Sequence, residues 1–413
     1  MSRSIDTAGS RFVFDYDPGE LRCGRGCVSD LGAVLDDRDL EGTLVVTGSN
    51  VGANRDVMNP VETGLGNRPI EVFAETTPEK YLATGLDGAE RVRSEGFDAV
   101  VAVGSGSSLD VAKVISALGS HDDLERAAER SIETGTVAVA DDGDPTPILA
   151  VPTTLAGADL SVIAGVNLSL DPSGVSEHEI PNGSASDRRL MPTALFYDLA
   201  LFETTPKSVL CSSAMNGFDK AVECLYSPHS TPITDGTAMR GLSLMQSGFE
   251  TLPDEEMNDR QLYQAVSGLV LAQYGISTPG TYRASIIHAF GHGFSRDYDV
   301  HQGTVHGIVA PYVLELVFDR VDGRRDLLAE AFGVDGDTDG DDETAAGSGT
   351  AVVDAVAAVR DDLGLPSRLR DLDELSRAEL PGIAARIRAD GLLSVSPVEP
   401  TEEEILGVLE AAW

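Results

Sequence analysis

The stretch VVAVGSGSSLDVAKVISA begins at Val100 and brings together residue types that handle phosphate. An apolar run suited to a buried strand stops at Gly104. Gly104-Ser105-Gly106-Ser107 follows, and Leu109-Asp110-Val111-Ala112-Lys113 opens an amphipathic helical pattern. A strand, a glycine turn and a helix start present unpaired backbone N–H groups to an anion. Glycine permits the close approach, and the Ser107 hydroxyl adds a donor. A second segment, PTTLAGADLS from Pro152, places Thr153 and Thr154 at the end of another apolar run. Open α/β sheets bind their ligands at the carboxyl ends of such strands.

The elements that must position these residues follow from periodicity. Strands are predicted at 42–48, 70–74, 99–103, 147–151 and 195–198, those at 42–48 and 147–151 buried, and a helix over 80–95 carries Tyr81, Leu82, Leu86 and Val92 at helical spacing. Strands separated by helical patterns imply βαβ units and a parallel sheet. Residues 170–191, with two prolines and two glycines, read as a hairpin or loop. After Pro206 the patterns are helical: 207–226, 235–251, 258–277, 282–293, 304–320, 324–331, 350–363 and 402–412. The expected organisation is an α/β Rossmann-like domain over 1–206 and an all-α domain over 207–413. The acidic segment starting at Asp335 mimics an EF-hand loop, but its twelfth position is Ala346, so the bidentate glutamate is missing.

With 413 residues the chain can bury two cores. It carries 68 acidic against 30 basic residues, a net charge of −38, and the acid is spread over the whole length. Only four basic residues are lysine: Lys80, Lys113, Lys207 and Lys220. A dispersed acidic surface stripped of lysine reads as adaptation to high salt, where self-repulsion is screened. It argues against nucleic acid as a partner, which needs a basic footprint. No apolar run is long enough to span a membrane, and no secretory leader is visible, so a cytoplasmic protein is expected. Four cysteines, with Cys23 and Cys27 in CGRGC, make no disulfide framework.

Taken together, these segments resemble the iron-containing (group III) alcohol dehydrogenase superfamily. GSGSSLDVAK is similar to the family's GGGSxxDxAK, and PTTLAGADLS to its PTTxxGSExT. The likeness runs on through Asp198, Thr205-Pro206-Lys207, MNGFDKAVECLYSPHSTPIT from Met215, HAFGH at 288–292, LGLPSRLRDL from Leu363 and the closing PTEEEILGVLEAAW. It implies the dehydroquinate synthase-like fold of that family, with NAD or NADP bound between the two domains, and a homodimer or larger assembly. By position it assigns Gly48, Ser49, Gly104, Ser105, Gly106, Ser107, Asp110, Thr153 and Thr154 to the cofactor. Where many members carry an Asp for the adenosine ribose, this chain reads Thr47-Gly48-Ser49-Asn50. Small polar residues do not repel a 2′-phosphate, which leans toward NADP.

Typical members hold a divalent metal with a DxxxH pair and two further histidines. The frame Glu223-Cys224-Leu225-Tyr226 sets the register, and the four positions fall on Asn216, Lys220, His288 and Gln302. His292 matches a family histidine near nicotinamide and substrate. Two amides and a cation make no divalent site. A shifted set, Asp219, Glu223, His288 and His301, keeps a zinc or iron site open as an alternative. Within the family, the metal-free maleylacetate reductases also place Asn at the first ligand position and have a histidine corresponding to His306, so the chain resembles that branch most. It departs at Lys220 and Gln302, and in having Ser176, Glu177 and His178 where the family has a hairpin lysine.

The expected function is hydride transfer between NAD(P) and a small oxo or enol acid, or an alcohol or aldehyde, without the family's metal. Asn216 and Lys220 share a helix face, and the Lys220 ammonium takes over the metal's charge. His288 and His292 relay a proton. The alternatives are a metal-dependent alcohol dehydrogenase using the shifted ligands and a non-catalytic nucleotide-binding protein.

Overall fold

A computed structural model describes residues 12–173, 180–278, 281–294, 298, 300–334, 344–373 and 375–413. Ser176, Glu177, His178 and the EF-hand-like stretch from Asp335 to Gly340 lie outside them. The chain forms two compact units, Asp17–Thr205 and Pro206–Trp413, the latter joined by N-terminal residues up to Tyr16.

The first unit is built on eight strands: β1 (Glu20–Cys23), β2 (Thr43–Gly48), β3 (Ile70–Thr76), β4 (Ala99–Gly104), β5 (Ile148–Pro152), β6 (Ile163–Asn167), β7 (Asn182–Ser186) and β8 (Ala194–Tyr197). Six form a sheet in the order β1-β8-β5-β4-β2-β3, with every pairing parallel. Its central strands are buried on both faces: all of β4 and all of β5. That is why they read as unbroken apolar runs rather than alternating ones. Each buried Val or Leu contributes about 1.5–3 kcal/mol relative to exposure. Strands β6 and β7 pair antiparallel, so the irregular stretch read from sequence is flanked by a hairpin. The helix α1 (Gly106–Gly119) follows β4 directly.

The second unit is helical. Three of its helices carry the residues of interest: α2 (Lys207–Tyr226), α3 (Ile286–His292) and α4 (Gln302–Arg320). From Leu210 onward α2 is buried almost all round, which makes it the central helix of this unit. A helix over Leu380–Arg388 was not anticipated from the sequence. The sequence division at 206/207 assigns the whole N-terminus to the α/β domain. The segment up to Tyr16 groups instead with the helices, because Phe14 and Tyr16 both pack on Tyr274, the latter edge-on at 4.9 Å. No helix among the described residues is long and apolar enough to cross a membrane.

Candidate active site

In the α/β unit, the phosphate turn forms where β4 ends. Gly104 has φ +127°, a conformation that strains any residue with a side chain. Its carbonyl accepts from Thr153 N–H at 3.0 Å, which ties the turn to the threonine pair after β5. Ser105 caps α1 in extended conformation without a side-chain cap bond, and its hydroxyl lies 3.0 Å from that of Ser107. The first amides of α1 therefore keep the anion-binding character of an uncapped helix N-terminus. Thr153 and Thr154 are both buried, and Thr205 Oγ1 donates to the Thr153 carbonyl at 2.7 Å. Gly48 and Ser49 stand at the end of β2, with Ser49 and Asn50 exposed.

Asp110, which the resemblance assigns to the cofactor, also makes bonds within the α/β unit. Its Oδ2 accepts from Lys80 Nζ at 2.9 Å and from Gly165 N–H at 3.3 Å, so it anchors the β6–β7 hairpin. Lys113 is fully buried one turn further along α1. Its ammonium donates to the carbonyls of Ala158 at 2.7 Å and Ile163 at 3.0 Å, bracing the segment that follows the threonines. Burial pulls its pKa below the ordinary lysine value.

In the helical unit, Asn216, Asp219, Lys220 and Glu223 recur at helical spacing on one buried face of α2. Asn216 Nδ2 donates to Gln302 Oε1 at 3.2 Å, so these two of the four expected positions meet. Lys220 is 8 % exposed, and its charge bears on His288. His288 is itself buried, and its Nδ1 lies 2.5 Å from Glu223 Oε2. Glu223 Oε1 accepts from Ile287 N–H at 2.7 Å, Tyr226 OH at 3.1 Å and Ser285 OH at 3.4 Å. Burial pushes the Glu223 carboxyl above the ordinary glutamate value, and the bonds from Ser285, Ile287 and Tyr226 pull it back down; with these donors aimed at it, the short contact is an Nδ1–H donated by neutral His288. Burial, then the charges of Lys220 and His292, hold His288 well below the usual imidazole range, with Asp390 pulling the other way. Its Nε2 is buried and has no hydrogen-bond partner among the described residues.

Asp219, one turn before Glu223, has the opposite character. It is fully buried, neither oxygen accepts a hydrogen bond from the described residues, and burial, then Glu223, push its carboxyl well above the aspartate range. Its Oδ2 stands 3.3 Å from Nδ1 of His306, whose pKa burial, and then the neighbouring His288, hold well below the usual imidazole range. The His288 and His306 rings lie 4.4 Å apart. Gly291 makes room for this packing, since a side-chain carbon there would collide with His306 Nε2.

His301 is exposed at the head of α4, and Glu223 is committed to orienting His288. Among the described residues no group of three or more His, Cys, Asp or Glu side chains is arranged to hold a metal ion. The shifted ligand set is therefore not assembled, and the Asn216, Lys220, His288 and Gln302 positions offer two amides and an ammonium. These residues do not fit a divalent metal. His292 bonds to Asp390, Nδ1 to Oδ2 at 2.9 Å. Sequence reasoning missed the roles of both Glu223 and Asp390. All four cysteines are free thiols, with Cys211 and Cys224 buried.

Comparison with known proteins agrees with this architecture. The family described as iron-containing alcohol dehydrogenase matches residues 18–198, and its C-terminal counterpart matches 210–413. Lactaldehyde reductase of Escherichia coli K12 is 22 % identical over 94 % of this chain and 97 % of its own. Maleylacetate reductase 1 of Rhodococcus opacus is 23 % identical over 98 % of this chain and 97 % of its own. The crystal structure of sulfoacetaldehyde reductase from Bifidobacterium kashiwanohense in complex with NAD+ superposes with a TM-score of 0.80 at 19 % identity, over 97 % of this chain and 99 % of that one. The chain is thus an oxidoreductase that belongs to the iron-containing alcohol dehydrogenase family.

Proposed function

We propose that the protein transfers hydride between NAD(P) and a small oxo or enol acid, or an alcohol–aldehyde pair, without a divalent metal. The observation that carries this reading is Lys220, a buried ammonium on the Asn216 face of α2 whose charge acts on His288. A fixed positive charge does the electrostatic part of a metal's work, stabilising negative charge that develops on the substrate oxygen. It also attracts a substrate carboxylate, which favours acids within the substrate class.

When bound, NAD(P) would supply the hydride chemistry. Gly104, Gly106 and Ser107 would hold its pyrophosphate through the first amides of α1 and the Ser107 hydroxyl, and Thr153 and Thr154 would contribute donors nearby. The absence of a carboxylate at Gly48-Ser49-Asn50 supports NADP over NAD. His288 works at Nε2. It takes the hydroxyl proton when an alcohol is oxidised and returns it when a carbonyl is reduced. The Glu223 carboxylate fixes the ring and stabilises the imidazolium that forms.

The test is steady-state turnover with NADPH and NADH over a panel of oxo acids, aldehydes and alcohols, using the full chain and its Lys220→Met and Lys220→Arg variants. Loss of one preorganised charge predicts a fall in kcat of about 10²–10³ for K220M with the cofactor KM unchanged. K220R, which keeps the charge, retains part of the activity. Undiminished turnover in K220M would overturn the role of Lys220.

A further inference from the structure

We infer that Lys80 is a positioning residue for the cofactor site. Its ammonium, through Asp110, holds the β6–β7 hairpin against α1 and so fixes the far end of the segment that carries Thr153 and Thr154. The inference rests on the reading that the first amides of α1 hold the pyrophosphate of NAD(P). The backbone at Lys80 is the first observation. Its φ is +54°, and only Asp39 and Arg324 share a positive φ with it among the described non-glycine residues. Glycine takes that left-handed conformation without strain, and asparagine with little. The chain nevertheless places a lysine there, although it keeps only four lysines in 413 residues. Strain held at one position points to work done by the side chain it carries.

The contacts of that side chain show the work. Lys80 Nζ donates to Asp110 Oδ2 at 2.9 Å, and the same oxygen accepts from Gly165 N–H at 3.3 Å. The turn after β3, helix α1 and strand β6 therefore meet at one carboxylate oxygen. Gly165 leaves the room for this junction, since a side-chain carbon there would stand 3.2 Å from Lys80 Nζ. The pair is partly sheltered, with side-chain exposures of 28 % for Lys80 and 13 % for Asp110. The main chain beside Lys80 joins the same strand. Its carbonyl accepts from Asn167 N–H at 3.0 Å, and Asn167 Nδ2 donates to the Glu79 carbonyl at 2.7 Å.

Asp110 stands one turn after Gly106 on α1, close to the amides that face the phosphate. About one turn further on, Lys113 donates to the Ile163 carbonyl, where β6 begins. Two of the four lysines thus fasten the same strand to the same helix, Lys113 at Ile163 and Lys80, through Asp110, at Gly165. At its other end the segment is tied by Thr153 N–H to the Gly104 carbonyl. Residues 153–163 are therefore stretched between the phosphate turn and the hairpin. Releasing the Lys80 end lets the threonine donors drift from the turn. That loses preorganised cofactor binding and leaves the chemical step intact.

The experiment uses the full-length chain with Lys80→Gly, Lys80→Arg, Asp110→Asn, the K80G/D110N double variant and Gly106→Asp. Lys80→Gly suits the left-handed backbone and removes only the side chain, so the fold is retained. In cofactor-free K80G, amide hydrogen exchange over residues 163–167 speeds up about tenfold. Fluorescence titration with NADPH and NADH shows Kd rising about tenfold in K80G and in D110N, as for one lost charge-assisted bond. The double variant binds no worse than D110N, because both changes break one junction. K80R keeps the charge and recovers part of the affinity, and kcat of K80G at saturating cofactor stays within about twofold. Unchanged exchange and unchanged Kd in K80G make Lys80 a mere turn residue and overturn the inference. Faster exchange with unchanged Kd overturns its bearing on the cofactor. Additive losses in the double variant overturn the shared junction and give Asp110 a contact of its own with the cofactor. Gly106→Asp sets a negative charge against the pyrophosphate. Wild-type cofactor affinity in G106D overturns the reading of the turn, while hydrogen exchange in K80G still decides whether Lys80 holds the hairpin.

Discussion

Glu223 and His288, 65 residues apart in sequence, meet at 2.5 Å between Oε2 and Nδ1 inside the helical unit. The pair is almost closed to water, and the other oxygen of Glu223, Oε1, accepts from Ile287, Tyr226 and Ser285. This leaves the buried, unpartnered Nε2 as the chemically available nitrogen of His288.

The first prediction concerns that orientation. Glu223→Gln keeps the shape but loses the charge that supports an imidazolium, and its amide can force the opposite tautomer. Turnover falls about 10²-fold or more with the cofactor KM unchanged, by analogy with the loss of an orienting carboxylate elsewhere. Steady-state kinetics check this, and an equal loss in cofactor affinity would point to global disruption instead.

Asp219 gives a prediction of opposite sign to the usual carboxylate. Its folded pKa is raised, so its contribution to stability is complete below the unfolded value of about 3.9 and is lost as pH rises through the folded value. The slope in that window is about 1.4 kcal/mol per pH unit for one group. Asp219→Asn mimics the neutral acid and removes the slope. Denaturant titrations at several pH values and constant salt should show D219N gaining on the wild type as pH increases.

Lys113 is expected to be structural. Lys113→Ala leaves the Ala158 and Ile163 carbonyls without their ammonium donor and opens a void, at a cost of about 3 kcal/mol. The same change loosens the segment after Thr153-Thr154, so the cofactor KM rises. Guanidinium unfolding and cofactor titration measure the two effects separately.

Much of this arrangement was legible in the sequence. β4 and β5 were readable because strands buried on both faces leave continuous apolar runs, and α2 because its pattern persists over twenty residues. β1 was not, since its four residues are mostly exposed at the sheet edge and carry no apolar signature. The Leu380–Arg388 helix opens with Leu-Pro-Gly, which reads as a breaker although Pro is well placed in a first turn. The motifs identified the phosphate turn, but the assignments of Glu223, Asp390 and Asp110 depended on partners 65, 98 and 55 residues away. Nothing local marks such pairings. Glu223 looked like an alternative metal ligand because a carboxylate near histidines suits either role.

The acidic surface yields a prediction about salt. A net charge of −38 spread along the chain repels itself at low ionic strength, and the screening length shrinks to about 3 Å at 1 M salt. Melting temperature and turnover should both rise as KCl is increased from the millimolar to the molar range. A melting temperature independent of KCl would remove the high-salt reading of the composition.

The central claim, a charged lysine in place of a metal, is tested most directly by measuring zinc and iron in the same full-length preparation whose turnover is recorded before and after exhaustive chelation. The account predicts metal far below one ion per chain, turnover unaffected by the chelator, and loss of that turnover in K220M. One zinc or iron per chain, with activity abolished by chelation and restored by the metal, would contradict it.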